Sequence, residues 1–268
     1  WLGIIVVVVV VGGGGGVQDN IVAHMELDTM SIAVGMAVGM AAAALYKVLS
    51  APKPPAGKLE FVYFPIAGRG ELCRLIAAVG GLELTESKGI PDGGTKEAYG
   101  SPSGVPLLKH GDLKLSQSAA IEVYLASLVP KFAALSTAQK ATDHMFLSIK
   151  EDVLIGCAKV VFGGNFLAEA PTAIPKHCDK WFPVVEGLLP SDGFILGLDF
   201  PTVADLSVLN MARAYMPFGA AYKHGKYEYA SKYPKMKALV ERTAGAPGVK
   251  EYLAKTKSMD MSFLDVDK

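Results

Sequence analysis

The sequence predicts an α/β domain followed by an all-helical domain, with an apolar helix ahead of both. Three observations support this: a strand–turn–helix pattern over residues 59–80, a strand–turn–strand–helix pattern over 105–126, and apolar residues at helical spacing from residue 137 onward. Strand and helix patterns alternate in the first of these regions, whereas only helix patterns follow it. We therefore expect two adjoining domains, at 58–129 and 136–258.

The first pattern combines a strand, a tight turn and a helix. Leu59 to Phe64 is rich in aromatic and β-branched residues, which favour a strand. Pro65 and Gly68 then turn the chain, and Glu71 to Gly80 has apolar residues along one stripe, which predicts a helix. Tyr63 ends the strand and Arg69 precedes the helix, so a phenol and a cation lie beside a helix N-terminus. This arrangement favours an anion such as a thiolate.

The second pattern predicts strands from Val105 to Lys109 and from Leu113 to Leu115, joined by a turn and followed by a helix. Gln117 and Ser118 stand where that helix begins, and its unpaired backbone N–H groups favour a carboxylate. Pro106 is unusual within a strand, so we expect an edge position or a cis peptide bond there.

Together these segments resemble the soluble glutathione transferase family, near its tyrosine-using sigma and alpha classes, over about residues 58–255. The resemblance implies a thioredoxin-like first domain and an all-α second domain. It also implies glutathione as co-substrate, with its thiolate attacking a small electrophile or a peroxide. On this resemblance Tyr63 activates the sulfur and Arg69 assists it.

The resemblance also implies how glutathione is bound. The backbone of Val105, ahead of a cis-Pro106, would pair with the cysteine of glutathione, and Gln117 and Ser118 would bind its γ-glutamyl end. The family usually holds the glycine carboxylate with a tryptophan or lysine, and Lys96 is the candidate here.

Three further residues match the family pattern in the helical half. Thr202 and Asp205 fit a helix-capping box, which predicts a structural role. Asp152 matches an aspartate that reaches across the family's dimer to the γ-glutamyl amine; the alternative is a solvated helix residue. The resemblance therefore leaves a homodimer open.

Composition excludes several other classes of protein. The chain has 26 basic and 26 acidic residues and no basic run suited to nucleic acid. Its three cysteines, Cys73, Cys157 and Cys178, are too far apart for a disulfide framework or a metal site, so we expect buried thiols in a reducing compartment. The five histidines have no ligand spacing, and no metal is predicted.

Residues 29–50 predict a transmembrane helix. From Met30 to Leu49 the only charged residue is Lys47, and twenty residues span about 30 Å as a helix, the thickness of the bilayer core. Small residues recur at every fourth position, which favours packing against a transmembrane helix of another protein: Ser31, Gly35, Gly39 and Ala43. A soluble alanine-rich helix and a signal sequence are the alternatives.

The flanking segments predict the orientation of that helix. An apolar, glycine-rich segment (1–28) precedes it, a proline-rich linker (51–57) follows it, and a short tail (259–268) ends the chain. The lysines after the helix place the C-terminal domains on the cytosolic, matrix or stromal side. A chloroplast thylakoid is compatible with a chain that begins at Trp1, through loss of a presequence or as a fragment.

Two other functions are compatible with the sequence. One is a weakly catalytic or non-catalytic accessory subunit of an organelle membrane complex, suggested by the predicted span and by the missing family contact to the glycine carboxylate. The other is a membrane-bound isomerase or peroxidase acting on lipids. Binding to immobilised glutathione would discriminate between a glutathione-dependent enzyme and an accessory subunit.

Overall fold

A computed structural model describes Gly39, residues 55–102, residues 104–256 and Ser258. The chain divides into two units, residues 1–53 and residues 54–268, and every strand and helix given below belongs to the second unit.

The predicted span at 29–50 lies outside the described residues except for Gly39, and the segments 1–28 and 259–268 lie outside them entirely. In the part of the chain that the structure describes, no helix is both long enough and apolar enough to cross a membrane. The membrane and thylakoid locations therefore stay predictions from sequence.

The sheet has four strands: β1 (Leu59–Val62), β2 (Leu84–Glu86), β3 (Leu107–His110) and β4 (Leu113–Ser116). Their order is β2-β1-β3-β4, with β1 parallel to β2 and antiparallel to β3. In this register Phe61 lies opposite Leu108, and both side chains are buried. The result is the mixed sheet expected of a thioredoxin-like domain.

Two α-helices belong to the sheet domain: α1 (Glu71–Gly80) and α2 (Ser118–Leu128). The apolar stripe of α1 is fully buried at Leu72, Leu75 and Ile76. Helix α1 packs against α2 on one side and against the helical domain on the other. Helix α1 therefore connects the core of the sheet domain with the core of the helical domain.

Eight α-helices follow in the described residues: α3 (Pro130–Ala133), α4 (Thr137–Val161), α5 (Phe166–Leu188), α6 (Val203–Arg213), α7 (Ala220–Gly225), α8 (Tyr229–Lys232), α9 (Pro234–Gly245) and α10 (Val249–Leu253). Helix α4 packs against both α5 and α6, and α6 also contacts α1 and α9. Because α6 is surrounded in this way, nearly all its side chains are buried.

The sequence located most of these elements but misjudged α5 and missed β2. Within the helical half, the sequence alone predicts a helix from Pro175 to Leu189, whereas α5 begins at Phe166 and contains three prolines. Each proline removes one helical hydrogen bond. Burial of Ile174, Cys178 and Phe182 along one face nevertheless holds the helix on the bundle, and tertiary packing overrides the local preference. Strand β2 is three residues long and carries no periodic signal.

Buried charges fix the turn between β1 and α1. Arg74 is 7% exposed, and its guanidinium donates to the main-chain carbonyls of Phe64 at 2.9 Å and Ile66 at 2.8 Å. It also donates two hydrogen bonds of 2.8 Å to the carboxylate of Glu86. Because a buried cation is costly without acceptors, these contacts hold the turn in one conformation.

The start of α6 is capped by carboxylates. As predicted, Asp205 accepts a hydrogen bond from the N–H of Thr202, at 2.8 Å. The Thr202 hydroxyl donates to Asp143 of α4 at 2.7 Å, and Asp143 also accepts the N–H of Ala204 at 2.9 Å. Asp205 accepts a further N–H from Ile195, at 2.9 Å. The cap therefore links α4, α6 and the preceding loop.

We expect Asp205→Ala to lower the free energy of unfolding by about 2–3 kcal/mol at pH 7, because one buried and one partly buried backbone donor lose their acceptor. Burial raises the pKa of Asp205 to about 6. Because the folded state binds this proton more tightly than the unfolded state, protonation of Asp205 stabilises the fold at low pH, and this stabilisation is lost as the pH rises through 6. The difference in the free energy of unfolding between wild type and variant should therefore be larger at pH 5 than at pH 7, by about 1 kcal/mol.

Urea denaturation at both pH values measures this. The matched control is Asp192→Ala, because Asp192 is 93% exposed and bonded to Arg242 at the surface. It should change stability by no more than about 0.5 kcal/mol. An Asp205→Ala protein as stable as this control would contradict the capping role.

Candidate active site

Tyr63 stands directly after β1, and the following turn closes over it. Its hydroxyl oxygen accepts a hydrogen bond from the backbone N–H of Arg69, at 2.8 Å. Gly68 and Gly70 make this approach possible, because a Cβ at either position would collide with the Tyr63 side chain. The glycines of the turn are therefore required by the tyrosine as well as by the backbone.

The electrostatics of Tyr63 keep its hydroxyl protonated. Burial raises the pKa of Tyr63, while the N–H of Arg69 and the charges of Arg69 and Arg74 oppose that rise. The Arg74 guanidinium carbon lies 5.8 Å from the centroid of the Tyr63 ring. A phenol that accepts from a backbone N–H retains its own proton as a donor. It can therefore donate a hydrogen bond to an anion that binds beside the hydroxyl.

The side chain of Arg69 contacts the helical domain. Its Nε donates to Glu151 Oε1 of α4 at 2.7 Å, and the two side chains are 42% and 23% exposed. The structure thus brings the backbone of Arg69 to Tyr63 and its guanidinium to Glu151. The sequence reasoning missed Glu151, which stands 82 residues further along the chain.

A cleft of about 300 Å³ lies beside this turn. Nine residues line it: Arg69, Ser101, Gly104, Val105, Pro106, Gln117, Ser118, Ala119 and Glu151. Five of the seven predicted site residues are among them. Tyr63 adjoins the cleft through its hydrogen bond to Arg69. Lys96 is half-buried and is not among the lining residues, so its role stays a prediction.

The geometry of the cleft follows from two special backbone positions. The Val105–Pro106 peptide bond is cis, which is one of the two alternatives that the sequence predicted. Gln117 has φ of 69°, a value that non-glycine residues rarely adopt, and it directly precedes α2. Ser118 is the first residue of α2 and lines the cleft, so the unpaired N–H groups of that helix begin at the cleft wall.

Ser101 is a further cleft residue that the sequence did not predict. Its hydroxyl donates to the Gly104 carbonyl and accepts the Gly104 N–H, both at 3.0 Å. These two hydrogen bonds shape the wall of the cleft just before Val105.

Asp152, considered from the sequence, is exposed and does not line the cleft of this chain. Its neighbour on α4, Glu151, faces the cleft instead. Helical spacing in the sequence did not show which of Glu151 and Asp152 would line the cleft.

The cysteines are placed as predicted. Cys73, Cys157 and Cys178 are all fully buried and none forms a disulfide. Burial raises the pKa of Cys73, and the nearby carboxylate of Glu122 raises it further. A neutral, inaccessible thiol suits a packing role rather than a nucleophile.

Comparison with known proteins relates this chain to glutathione S-transferases. Residues 151–256 match the family described as "Glutathione S-transferase, C-terminal domain". A probable glutathione S-transferase (gst-36) of Caenorhabditis elegans is 24% identical over 211 residues, which is 74% of this chain and 97% of that protein.

Solved structures show the same fold. A glutathione S-transferase of Caenorhabditis elegans is 27% identical with a TM-score of 0.57, covering 74% of this chain and 98% of the other. Monomeric Na-GST-3, a glutathione S-transferase of the hookworm Necator americanus, is 21% identical with a TM-score of 0.62, covering 76% and 100%. These matches support a relationship between this chain and the glutathione S-transferase family. Proteins of this family use glutathione as co-substrate.

Proposed function

We propose that this chain binds glutathione in the cleft and stabilises its thiolate for attack on a small electrophile. The observation that carries the proposal is the Tyr63 hydroxyl, which accepts the Arg69 N–H at 2.8 Å and so keeps its own proton available for donation to a ligand. Glutathione thiol has a pKa near 8.5, so only about 3% is thiolate at pH 7. A shift of one to two units requires about 1.4–2.7 kcal/mol.

The cleft offers a partner for each end of the γ-glutamyl group. The N-terminus of α2, with Gln117 and Ser118, suits its α-carboxylate. The carboxylate of Glu151 suits its ammonium. The backbone of Val105, next to the cis-Pro106, presents main-chain groups for the cysteine residue.

An exposed aromatic residue beside Tyr63 supports the proposal that the electrophile is apolar. Phe64 follows Tyr63 directly, is 59% exposed, and its ring centroid lies 5.6 Å from that of Tyr63. An apolar surface next to the sulfur would hold an aryl halide. In that reaction a C–S bond forms, the C–halogen bond breaks and halide leaves with the electron pair, while the thiol proton passes to solvent. A peroxide is the second class of electrophile.

We expect Tyr63→Phe to lower kcat/KM for glutathione conjugation of an aryl halide at least about tenfold, because only the hydroxyl donor is removed. Steady-state kinetics measure this, and circular dichroism checks the fold. The control is Tyr124→Phe, which removes a hydroxyl bonded to His110 at 2.7 Å outside the cleft. Turnover of Tyr63→Phe equal to that of the control would remove Tyr63 from the catalytic role.

Ser118→Ala should raise the KM for glutathione more than it lowers kcat, because its contact would be to the γ-glutamyl end, remote from the sulfur. Kinetics with glutathione varied at saturating electrophile separate the two effects. Ser127→Ala is the control, since Ser127 is exposed near the other end of the same helix. A loss confined to kcat would contradict this assignment.

Membrane attachment through residues 29–50 is a separate proposal that rests on their apolar sequence alone. Extraction of membranes with alkaline carbonate tests it. An anchored protein should remain in the pellet, whereas release into the supernatant would contradict the span. Binding of the detergent-extracted protein to immobilised glutathione separates an enzyme from an accessory subunit, since failure to bind would favour the subunit.

A further inference from the structure

Four charged side chains form a continuous row that runs from the wall of the cleft into the core. Arg69 pairs with Glu151 at 2.7 Å, Glu151 lies 3.6 Å from Lys150, and Lys150 pairs with Glu122 at 2.9 Å. The row begins at a half-exposed guanidinium and ends in the core. The Lys150 side chain is 1% exposed, and that of Glu122 is fully buried. The signs alternate, so the formal charges cancel.

Fold stability alone does not account for the buried end of this row. Moving an ammonium and a carboxylate out of water is costly, and an apolar pair of similar volume is often as stable or more stable. Two carboxylate oxygens, Glu122 Oε2 and Glu151 Oε2, also lack hydrogen-bond partners among the described residues. The ammonium of Lys150 is shared by both carboxylates: it lies 2.9 Å from Glu122 Oε1 and 3.6 Å from Glu151 Oε2, whereas Glu151 Oε1 pairs with Arg69.

The position of the row connects it to the cleft from two sides. Glu122 stands four residues after Ser118, so it lies one turn into α2 on the same face of the helix. Lys150 and Glu151 are consecutive residues of α4. Glu151 holds the guanidinium of Arg69, whose backbone N–H contacts Tyr63. Lys150 thus lies between α2, whose N-terminus lines the cleft, and the carboxylate of Glu151, which also lines it.

We propose that Lys150 is a positioning residue for binding of the γ-glutamyl group. Its ammonium holds the Glu151 carboxylate and the first turn of α2 at a fixed separation, so that both can contact the same ligand end. This inference rests on the proposed function, because it assumes that glutathione binds in the cleft. Lys150 is buried beneath the cleft rather than in its lining, so it acts through Glu151 and Glu122.

The test uses variants that separate stability from binding. Lys150→Met alone leaves Glu122 buried without a cation, so its melting temperature should fall by several degrees. The double variant Glu122→Leu/Lys150→Met replaces the pair with apolar side chains and should regain the wild-type melting temperature. Its dissociation constant for glutathione, measured by calorimetry on the full chain, should still rise at least about fivefold, with KM raised more than kcat is lowered.

The matched control is Lys237→Met/Glu241→Leu, which makes the same changes at an exposed ion pair of α9 and should leave glutathione binding unchanged. A double variant that is stable and binds glutathione as wild type does would overturn the positioning role while leaving the proposed function intact. Wild-type protein that fails to bind glutathione would overturn both. If the apolar double variant does not fold, Glu122→Gln/Lys150→Gln removes both charges while keeping both side chains polar, and the same binding criterion applies to it.

Discussion

A buried arginine holds together the turn on which the candidate site depends. Arg74 lies in α1 and is buried, so its guanidinium needs acceptors inside the fold. It finds them in the carbonyls of Phe64 and Ile66 and in the carboxylate of Glu86. Because these carbonyls belong to residues close after Tyr63, the contacts that satisfy a buried charge also set the path of the chain past the phenol.

Features decided by neighbouring residues were predictable from the sequence. The apolar stripe and flanking glycines of α1 predicted its limits, Glu71–Gly80, as the structure has them. Asp205 accepts the N–H of Thr202, three residues before it, and this is the spacing of a capping box, which can be recognised from the local sequence. The proline within a strand predicted an unusual backbone at Pro106. Most of the cleft follows from such local signals.

Features decided by distant residues were not predictable. A glutamate or lysine in a helix is ordinarily a solvated residue, and nothing near Glu122 or Lys150 in the sequence indicates that the two meet in the core. Arg69 shows the same limit. Its position beside the phenol followed from the turn, but the direction of its guanidinium depends on Glu151, which only the packing of the two domains brings close.

The helical domain reaches the sheet domain by a second route as well. Glu71, at the start of α1, is fully buried, and its carboxylate accepts hydrogen bonds from the hydroxyls of Tyr252 at 2.7 Å and Ser258 at 2.5 Å. Helix α10, through Tyr252, and Ser258 beyond it therefore contact the helix that follows the site turn. Because Glu71 also pairs with Arg74 at 3.3 Å, this segment contacts the same charges that hold the turn. The first domain supplies the tyrosine, most of the cleft and the buried arginine that holds the site turn. The second domain supplies Glu151, which binds the guanidinium of Arg69.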